Sequence, residues 1–305
     1  MELRHIRYFL AVAEEKNFTR AAAKVGIGQP PLSQQIRDLE REIGAPLFHR
    51  LPHGAELTEA GESFLEKARG IVAQAEQAKA AAQRAARGET GRLRVGFSGS
   101  AAFNPAVPAP IRDFRRAYPA VELSLLEANT QQLVGMMREG EVDVAFIRPA
   151  QTDPEGLRVF RFPEEPMLAA LPTGHRLAGA SALHLADLAK EAFILYPQTI
   201  GTGLYEEVVG HCRQAGFEPR MAVGFEPELA LKTPQMASVI NLVAAEMGIS
   251  IVPRSLTQIT VPGVRFVPFV GEAPRARLGC AIRRGERGIA ARNFMALAKT
   301  TKAAG

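Results

Sequence analysis

Residues 17–44 hold the tightest constraint on what this chain can fold into. Phe18, Ala21, Ala22 and Val25 recur at the spacing of a short helix, with Asn17 or Thr19 available to cap its first turn. Gly26 supplies the left-handed residue a helix end prefers, and Gly26-Ile27-Gly28 makes a tight turn. Pro30-Pro31 then opens another helix, because proline is tolerated in a first turn where its missing N–H would have had no partner. Leu32, Ile36, Leu39 and Ile43 line the inner face and Gly44 ends it, leaving Ser33, Gln34, Gln35, Arg37 and Asp38 outside. Two short helices joined by a glycine turn, the second with an outer face of hydrogen-bonding side chains, form the helix-turn-helix pattern. Ile6, Phe9, Leu10 and Ala13 add a helix in front of it, and Leu47–Thr58, with Arg50, Pro52, His53 and Gly54, reads as a hairpin or wing.

From Thr58 the chain turns alanine-rich and proline-free to about Arg87. Thr58 can cap a long helix there. Phe64, Ala68, Ile71, Ala75, Ala78, Ala82 and Ala85 alternate spacings of 4 and 3, a heptad seam whose small residues let two helices approach closely. Gly88 and Gly91 mark its end and a joint. Beyond Arg92, short apolar runs alternate with helices: Leu93–Phe97, Val121–Leu125, Val142–Ile147, Met167–Leu171, Phe193–Tyr196, Val223–Phe225, Ile249–Val252, Arg265–Phe269 and Gly279–Ile282 read as strands. That order predicts an α/β region with largely parallel strands.

Composition narrows the class. A chain of 305 residues suggests about two domains on a prior of about 150 residues each. With 47% hydrophobic and 23% charged residues it has the balance of a soluble globular protein. Cys212 and Cys280 are the two cysteines, far apart and without a CxxC partner, which argues against disulfide frameworks and cysteine zinc sites and fits a reducing cytosol. No apolar run approaches the ~20 residues that cross a bilayer, and the N-terminus leads into an amphipathic helix rather than a signal peptide. The expectation is a cytoplasmic protein with no membrane association. The net charge of +5 permits nucleic-acid binding without showing it, because residues 1–60 hold eight Lys/Arg against eight Asp/Glu.

The N-terminal residues resemble the LysR-type transcriptional regulators: Leu3 through Phe9, Phe18-Thr19-Arg20-Ala21-Ala22, Gln29-Pro30-Pro31-Leu32-Ser33-Gln34-Gln35-Ile36, Leu39-Glu40, Gly44-Ala45-Pro46-Leu47-Phe48, Arg50 and Leu57-Thr58-Glu59-Ala60-Gly61. Leu242–Pro253 is also family-like. The resemblance covers essentially the whole chain. It implies an α plus α/β architecture: a winged helix-turn-helix over 1–58, a dimerising linker helix and hinge over 59–91, and an effector domain over 92–305 with two lobes like type 2 periplasmic binding proteins. Lobe I would comprise 92–162 and 267–305 and lobe II 163–266, with crossovers near Phe162 and Phe266. It further implies a regulator of a catabolic operon that binds double-stranded operator DNA, works with RNA polymerase, forms homodimers or homotetramers, and uses no cofactor.

By that resemblance, Gln29, Pro30, Pro31, Ser33 and Gln34 face the major groove, Arg37 grips phosphate, and Arg50 and His53 serve the wing, His53 at its tip. Glutamine suits adenine through N6 and N7, and proline methylenes suit a thymine methyl. Gln34 stands where many relatives have Arg, and Gly28 where they cap with Ser or Thr. In the effector domain, Ser98-Gly99-Ser100, Asn129-Thr130 and Arg148 follow successive strands, the places where ligands sit in α/β sheets. Ser98, Gly99, Ser100, Thr130 and Arg148 would then make a carboxylate clamp, with Tyr196, Pro197 and Phe225 as apolar walls. Ser100, Thr130 and Arg148 match effector-carboxylate positions in regulators of aromatic-compound catabolism, so the implied effector is a small organic acid such as a muconate. The alternatives are loop-capping hydroxyls and an Arg148 held in a lobe–lobe salt bridge. A catalytic reading finds no HExxH, GxSxG or P-loop spacing around the six histidines. An effector-independent architectural DNA binder is the competing function.

Overall fold

The N-terminal periodicities fold as α1 (Leu3–Glu15), α2 (Phe18–Val25) and α3 (Gln29–Ile43) in a computed structural model that describes residues 1–52, 54–195, 202–222 and 236–300. His53, Tyr196, Pro197 and Phe225, together with the expected strand at 223–225, lie outside the described residues. Asn17 caps α2 by accepting from the Thr19 and Arg20 N–H groups, and Gly26 and Gly44 close α2 and α3 with φ of 75° and 80°, conformations in which a Cβ would be strained. β1 (Phe48–Leu51) and β2 (Gly54–Leu57) pair antiparallel as the wing. The Thr58 hydroxyl donates to Pro46 O and accepts from Gly61 N, capping α4 (Glu59–Ala86) while holding it to the base of the wing.

The chain divides into two compact units, Met1–Arg84 and Ala85–Gly305. The first has one core in which Ile6, Phe9, Val12, Ala21, Leu32, Ile36, Leu39, Leu47 and Ala68 are buried. Phe9 contacts the Phe48 and Phe64 rings at centroid distances of 5.1 and 4.9 Å. The first two positions of the expected seam are taken up by this core. Phe64 and Ala68 face the winged core, because α4 must cover the side of α1 left open by the wing. Ile71, Ala78, Ala82 and Ala85 remain exposed along the helix.

The second unit contains two sheets. In lobe I, β3 (Gly91–Phe97), β4 (Val121–Glu127), β5 (Val144–Ile147), β6 (Leu157–Arg161) and β13 (Gly279–Arg283) take the order β4-β3-β5-β13-β6. Alternation along β5 divides the packing. Val144 and Phe146 join the cluster under α5 (Pro108–Ala117) and α9 (Ile289–Thr300), whereas Ala145 and Ile147 pack with α6 (Thr130–Arg138) on the other face. In lobe II, β7 (Glu165–Pro172) runs antiparallel to β10 (Ser250–Pro253), β11 (Val264–Pro268) and β12 (Arg275–Ala276). Its core takes in α7 (Thr202–Gln214) and α8 (Met236–Ala244), and the short strands β8 (Ala192–Phe193) and β9 (Arg220–Met221) pair in parallel.

Two expectations are corrected here. The strands are mixed rather than largely parallel, because the chain crosses between lobes and returns, so β7 and β13 each run against their neighbours. The first crossover lies at Phe162, between β6 and β7. The second lies at Arg277-Leu278 and not near Phe266, which pairs with Ala170 inside the lobe II sheet. The two crossings run side by side, with Phe162 N donating to Leu278 O at 2.9 Å. Among the described residues no helix is long and apolar enough to cross a membrane.

An ion-pair network fixes the start of the lobe I sheet. Asp143 accepts from Arg94 N at 2.8 Å and from Arg94 Nη2 at 2.8 Å, and Arg283 Nη2 approaches it at 3.4 Å. Burial pushes the Asp143 carboxyl up, but the Arg94 hydrogen bonds and charge outweigh it and hold the group below its ordinary value of 3.8. A carboxyl lowered by folding adds stability above its unfolded pKa and loses it as pH falls through the folded one. Asp143→Asn is expected to cost about 1–2 kcal/mol at neutral pH. In urea unfolding across a pH series, that deficit should shrink below the ordinary value of 3.8.

Candidate functional site

The outer face of α3 is built by its first two turns. Gln29, Pro30, Pro31, Gln34 and Arg37 are exposed. The two prolines carry no N–H, so this helix start offers a donor-poor backbone and presents ring methylenes instead. Ser33 departs from the expected groove-facing position. It is only 5% exposed, and its hydroxyl accepts from Gln29 Nε2 at 3.0 Å. Further along, Arg37 Nη2 donates to Gln34 Oε1 at 2.7 Å and Gln34 Nε2 donates to Asp38 Oδ1 at 2.9 Å, while Arg41 also holds Asp38. Arg37 therefore keeps most of its N–H groups for another acceptor, as a phosphate contact requires.

The wing is tied to α3 by Glu40, a residue the sequence reading did not assign a role. Its Oε1 accepts from Leu47 N at 2.8 Å and Phe48 N at 3.2 Å, and its Oε2 lies 3.8 Å from Arg50 Nη2. The Arg50 guanidinium also stands 5.0 Å from the Phe18 ring centroid, a cation–π distance. Arg50 is thus held by α2 and α3 while remaining half exposed.

In the second unit the structure brings together the strand ends that carry Ser98, Gly99, Ser100, Thr130 and Arg148. Ser98 N donates to Phe146 O at 2.9 Å. Asn129 caps α6 by accepting from Gln132 N, and the adjacent Thr130 hydroxyl accepts from Arg148 N at 3.3 Å. The Ser98 hydroxyl is buried and has no hydrogen-bond partner among the described residues. Ser255 Oγ is likewise buried without a partner among the described residues.

Arg148 is already engaged. Its side chain is 3% exposed, and Nη2 lies 2.9 Å from Glu165 Oε1. Nη2 also donates to Ser100 O at 2.9 Å, Nη1 to Arg277 O at 3.2 Å and Nε to Ser100 Oγ at 3.4 Å. Glu165 in turn accepts from Asn104 Nδ2 at 2.9 Å through Oε1 and from Ser255 N at 2.8 Å through Oε2. One carboxylate therefore gathers donors from lobe I (Asn104, Arg148) and lobe II (Ser255) beside the crossovers. At the start of α7, a Cβ on Gly203 would sit 2.6 Å from Arg148 O and 2.7 Å from Pro149 O, so only glycine lets that helix touch this backbone. The sequence reading missed Glu165, Asn104, Ser255, Arg277 and Gly203. Cys212 and Cys280 are buried, and burial pushes the Cys212 thiol up to about 12, which keeps it from acting as a thiolate. Among the described residues no group of three or more His, Cys, Asp or Glu could hold a metal ion.

Comparison with known proteins covers both units. The family profile described as "Bacterial regulatory helix-turn-helix protein, lysR family" matches residues 3–62, and that described as "LysR substrate binding domain" matches 86–303. The HTH-type transcriptional regulator BudR of Raoultella terrigena is 41% identical over 295 residues, 97% of this chain and 99% of that protein. The crystal structure of CbnR, a LysR family transcriptional regulator, superposes with a TM-score of 0.80 at 29% identity, covering 98% of this chain and 100% of that one. Full-length CbnR complexed with its target DNA gives a TM-score of 0.78 at 29% identity, covering 98% and 99%.

The Arg148–Glu165 pair yields a stability test. Glu165→Ala leaves a buried guanidinium without its counter-charge and is expected to cost about 3–5 kcal/mol. The double substitution Arg148→Met with Glu165→Leu is expected to cost much less than the two single changes summed. Urea unfolding of the full chain checks both, and additive single effects would show that the pair does not interact.

Proposed function

Because the chain belongs to the LysR family of DNA-binding transcriptional regulators, with an effector-binding domain, we propose that it reads an operator through α3 and the wing and is switched by a small organic acid in the crevice of its second unit. Gln29, Gln34 and the rings of Pro30 and Pro31 face base edges, while Arg37, Arg50 and His53 supply phosphate and minor-groove contacts. Phosphate contacts contribute affinity that falls with salt, and base contacts contribute sequence preference. The regulated genes are a catabolic operon, with RNA polymerase as the further partner. Homodimers formed along the exposed part of α4, paired into tetramers, present several reading helices to one operator.

The observation that carries the effector reading is Ser98 Oγ, a buried hydroxyl without a partner among the described residues, at the strand ends that also hold Ser100, Thr130 and Arg148. A carboxylate is the acceptor that suits it best. It takes a hydrogen bond from Ser98 and competes with Glu165 for Arg148. Since Glu165 also holds Asn104 and Ser255, taking its place on Arg148 loosens a carboxylate shared by both lobes. Tyr196, Pro197 and Phe225 remain the proposed apolar walls.

The test is thermal melting of the full-length chain with a panel of small mono- and dicarboxylates. A ligand at 100 times its Kd adds ~2.7 kcal/mol, which raises the melting temperature of a domain of this size by roughly 5–10 °C. Ser98→Ala should abolish the shift without lowering the melting temperature of the free protein, since it removes an unsatisfied hydroxyl. Glu165→Gln should strengthen carboxylate binding by removing the competing charge. A panel with no shift, from a chain that still selects DNA, overturns the effector reading and leaves the effector-independent regulator.

A further inference from the structure

We propose that Ser33 is a positioning residue rather than a base contact: buried within α3, it holds the Gln29 amide in the orientation that selects adenine. This inference rests on the reading of α3 as the recognition helix and deepens it to one residue pair and one base.

The geometry is local. Gln29 and Ser33 are four residues apart on one helix, the spacing at which side chains meet. Gln29 Nε2 donates to Ser33 Oγ at 3.0 Å. Gln29 is exposed, whereas Ser33 is only 5% exposed, so the hydroxyl lies beneath the amide and out of reach of a base edge. The donation uses one of the two amide hydrogens. One N–H and the carbonyl oxygen of Gln29 are left facing outward, and this donor–acceptor pair is the one that matches N7 and N6 of adenine in the major groove. A free glutamine has three side-chain torsions to fix on binding and presents its amide in many directions. The tether removes part of that freedom before DNA arrives, and preorganisation of this kind favours the partner that fits the held orientation.

The rest of the first turn leaves the task to Gln29. Pro30 and Pro31 have no N–H, and Leu32 N is already bonded to Gly28 O at 3.2 Å. Gln34 differs from Gln29 in this respect. Its amide bridges Arg37 and Asp38 on the exposed surface, where water and phosphate compete for the same groups.

The experiment is in vitro selection from a random duplex library with the full-length chain, followed by competition binding to the selected site and to its single-base variants. In the wild type, one position per half-site should select adenine in a Gln29-dependent way. Gln29→Ala should lose that preference, by roughly 5- to 150-fold for a complete bidentate pair. Ser33→Ala and the near-isosteric Ser33→Cys should each weaken it by about 3- to 10-fold, as expected for losing orientation but not the pair itself. Ser33→Thr, which keeps the hydroxyl, should retain it. In the Gln29→Ala background, Ser33→Ala should change nothing further at that position. Affinity for non-specific DNA and its salt slope should be unchanged in Ser33→Ala, Ser33→Cys and Ser33→Thr, which separates lost orientation from lost fold. The proposal is overturned if Ser33→Ala and Ser33→Cys keep the wild-type preference, if Ser33→Ala still acts without Gln29, or if the Gln29-dependent position selects another base. A wild-type chain that enriches no sequence overturns the reading of α3 and this inference with it.

Discussion

The carboxylate of Glu165 accepts from Arg148, Asn104 and Ser255 N, and the organisation of the effector domain follows from that shared position. A buried guanidinium needs a counter-charge, because an unpaired charge in this environment costs several kcal/mol (about 3–5 when one partner is removed). Arg148 lies at the end of β5 in lobe I, and Glu165 opens β7 in lobe II. Satisfying the charge therefore draws the ends of two different sheets together where the chain crosses between them. The ion pair adds little net stability, since two apolar side chains of similar volume could serve as well. Its contribution is to fix the relation of the lobes through one shared carboxylate.

The first unit depends on a different constraint. Three helices and a hairpin are too small a set to bury a core alone, and α4 completes it by laying Phe64 and Ala68 against α1. The helix that leaves the DNA-binding unit is therefore part of its core rather than a tether. At its far end, Asn293 donates to Arg87 O at 3.0 Å, and Gly88, with φ of 67°, packs against the start of α9.

Much of this was legible in the sequence because it is written locally. Asn17, Gly26, Gly44 and Thr58 act as the caps and stops that their types and spacing imply. The alternation of Val144, Ala145, Phe146 and Ile147 gives a strand buried on both faces. The rest is not local. Glu165 meets donors 17, 61 and 90 residues away, and nothing near it in sequence announces them. The second crossover is not legible locally, because β11 and β12 read like any short strand, and only pairing with β7 assigns them to lobe II. Ser33 sits three residues before Ile36 on the helix, at the border between the apolar stripe and the outer face. Its burial follows from how widely α3 is covered, which periodicity alone does not give.

A chain switched by a carboxylate, as proposed, must couple carboxylate binding to operator binding thermodynamically. The most direct test measures the affinity of the full-length chain for its selected operator with and without a carboxylate that raises its melting temperature, and the affinity for that carboxylate with and without operator. Linkage requires the same factor in both directions, and couplings of this kind are typically about 5- to 150-fold. Equal, reciprocal factors in that range are the predicted result. A carboxylate that binds tightly yet leaves operator affinity unchanged would contradict the account.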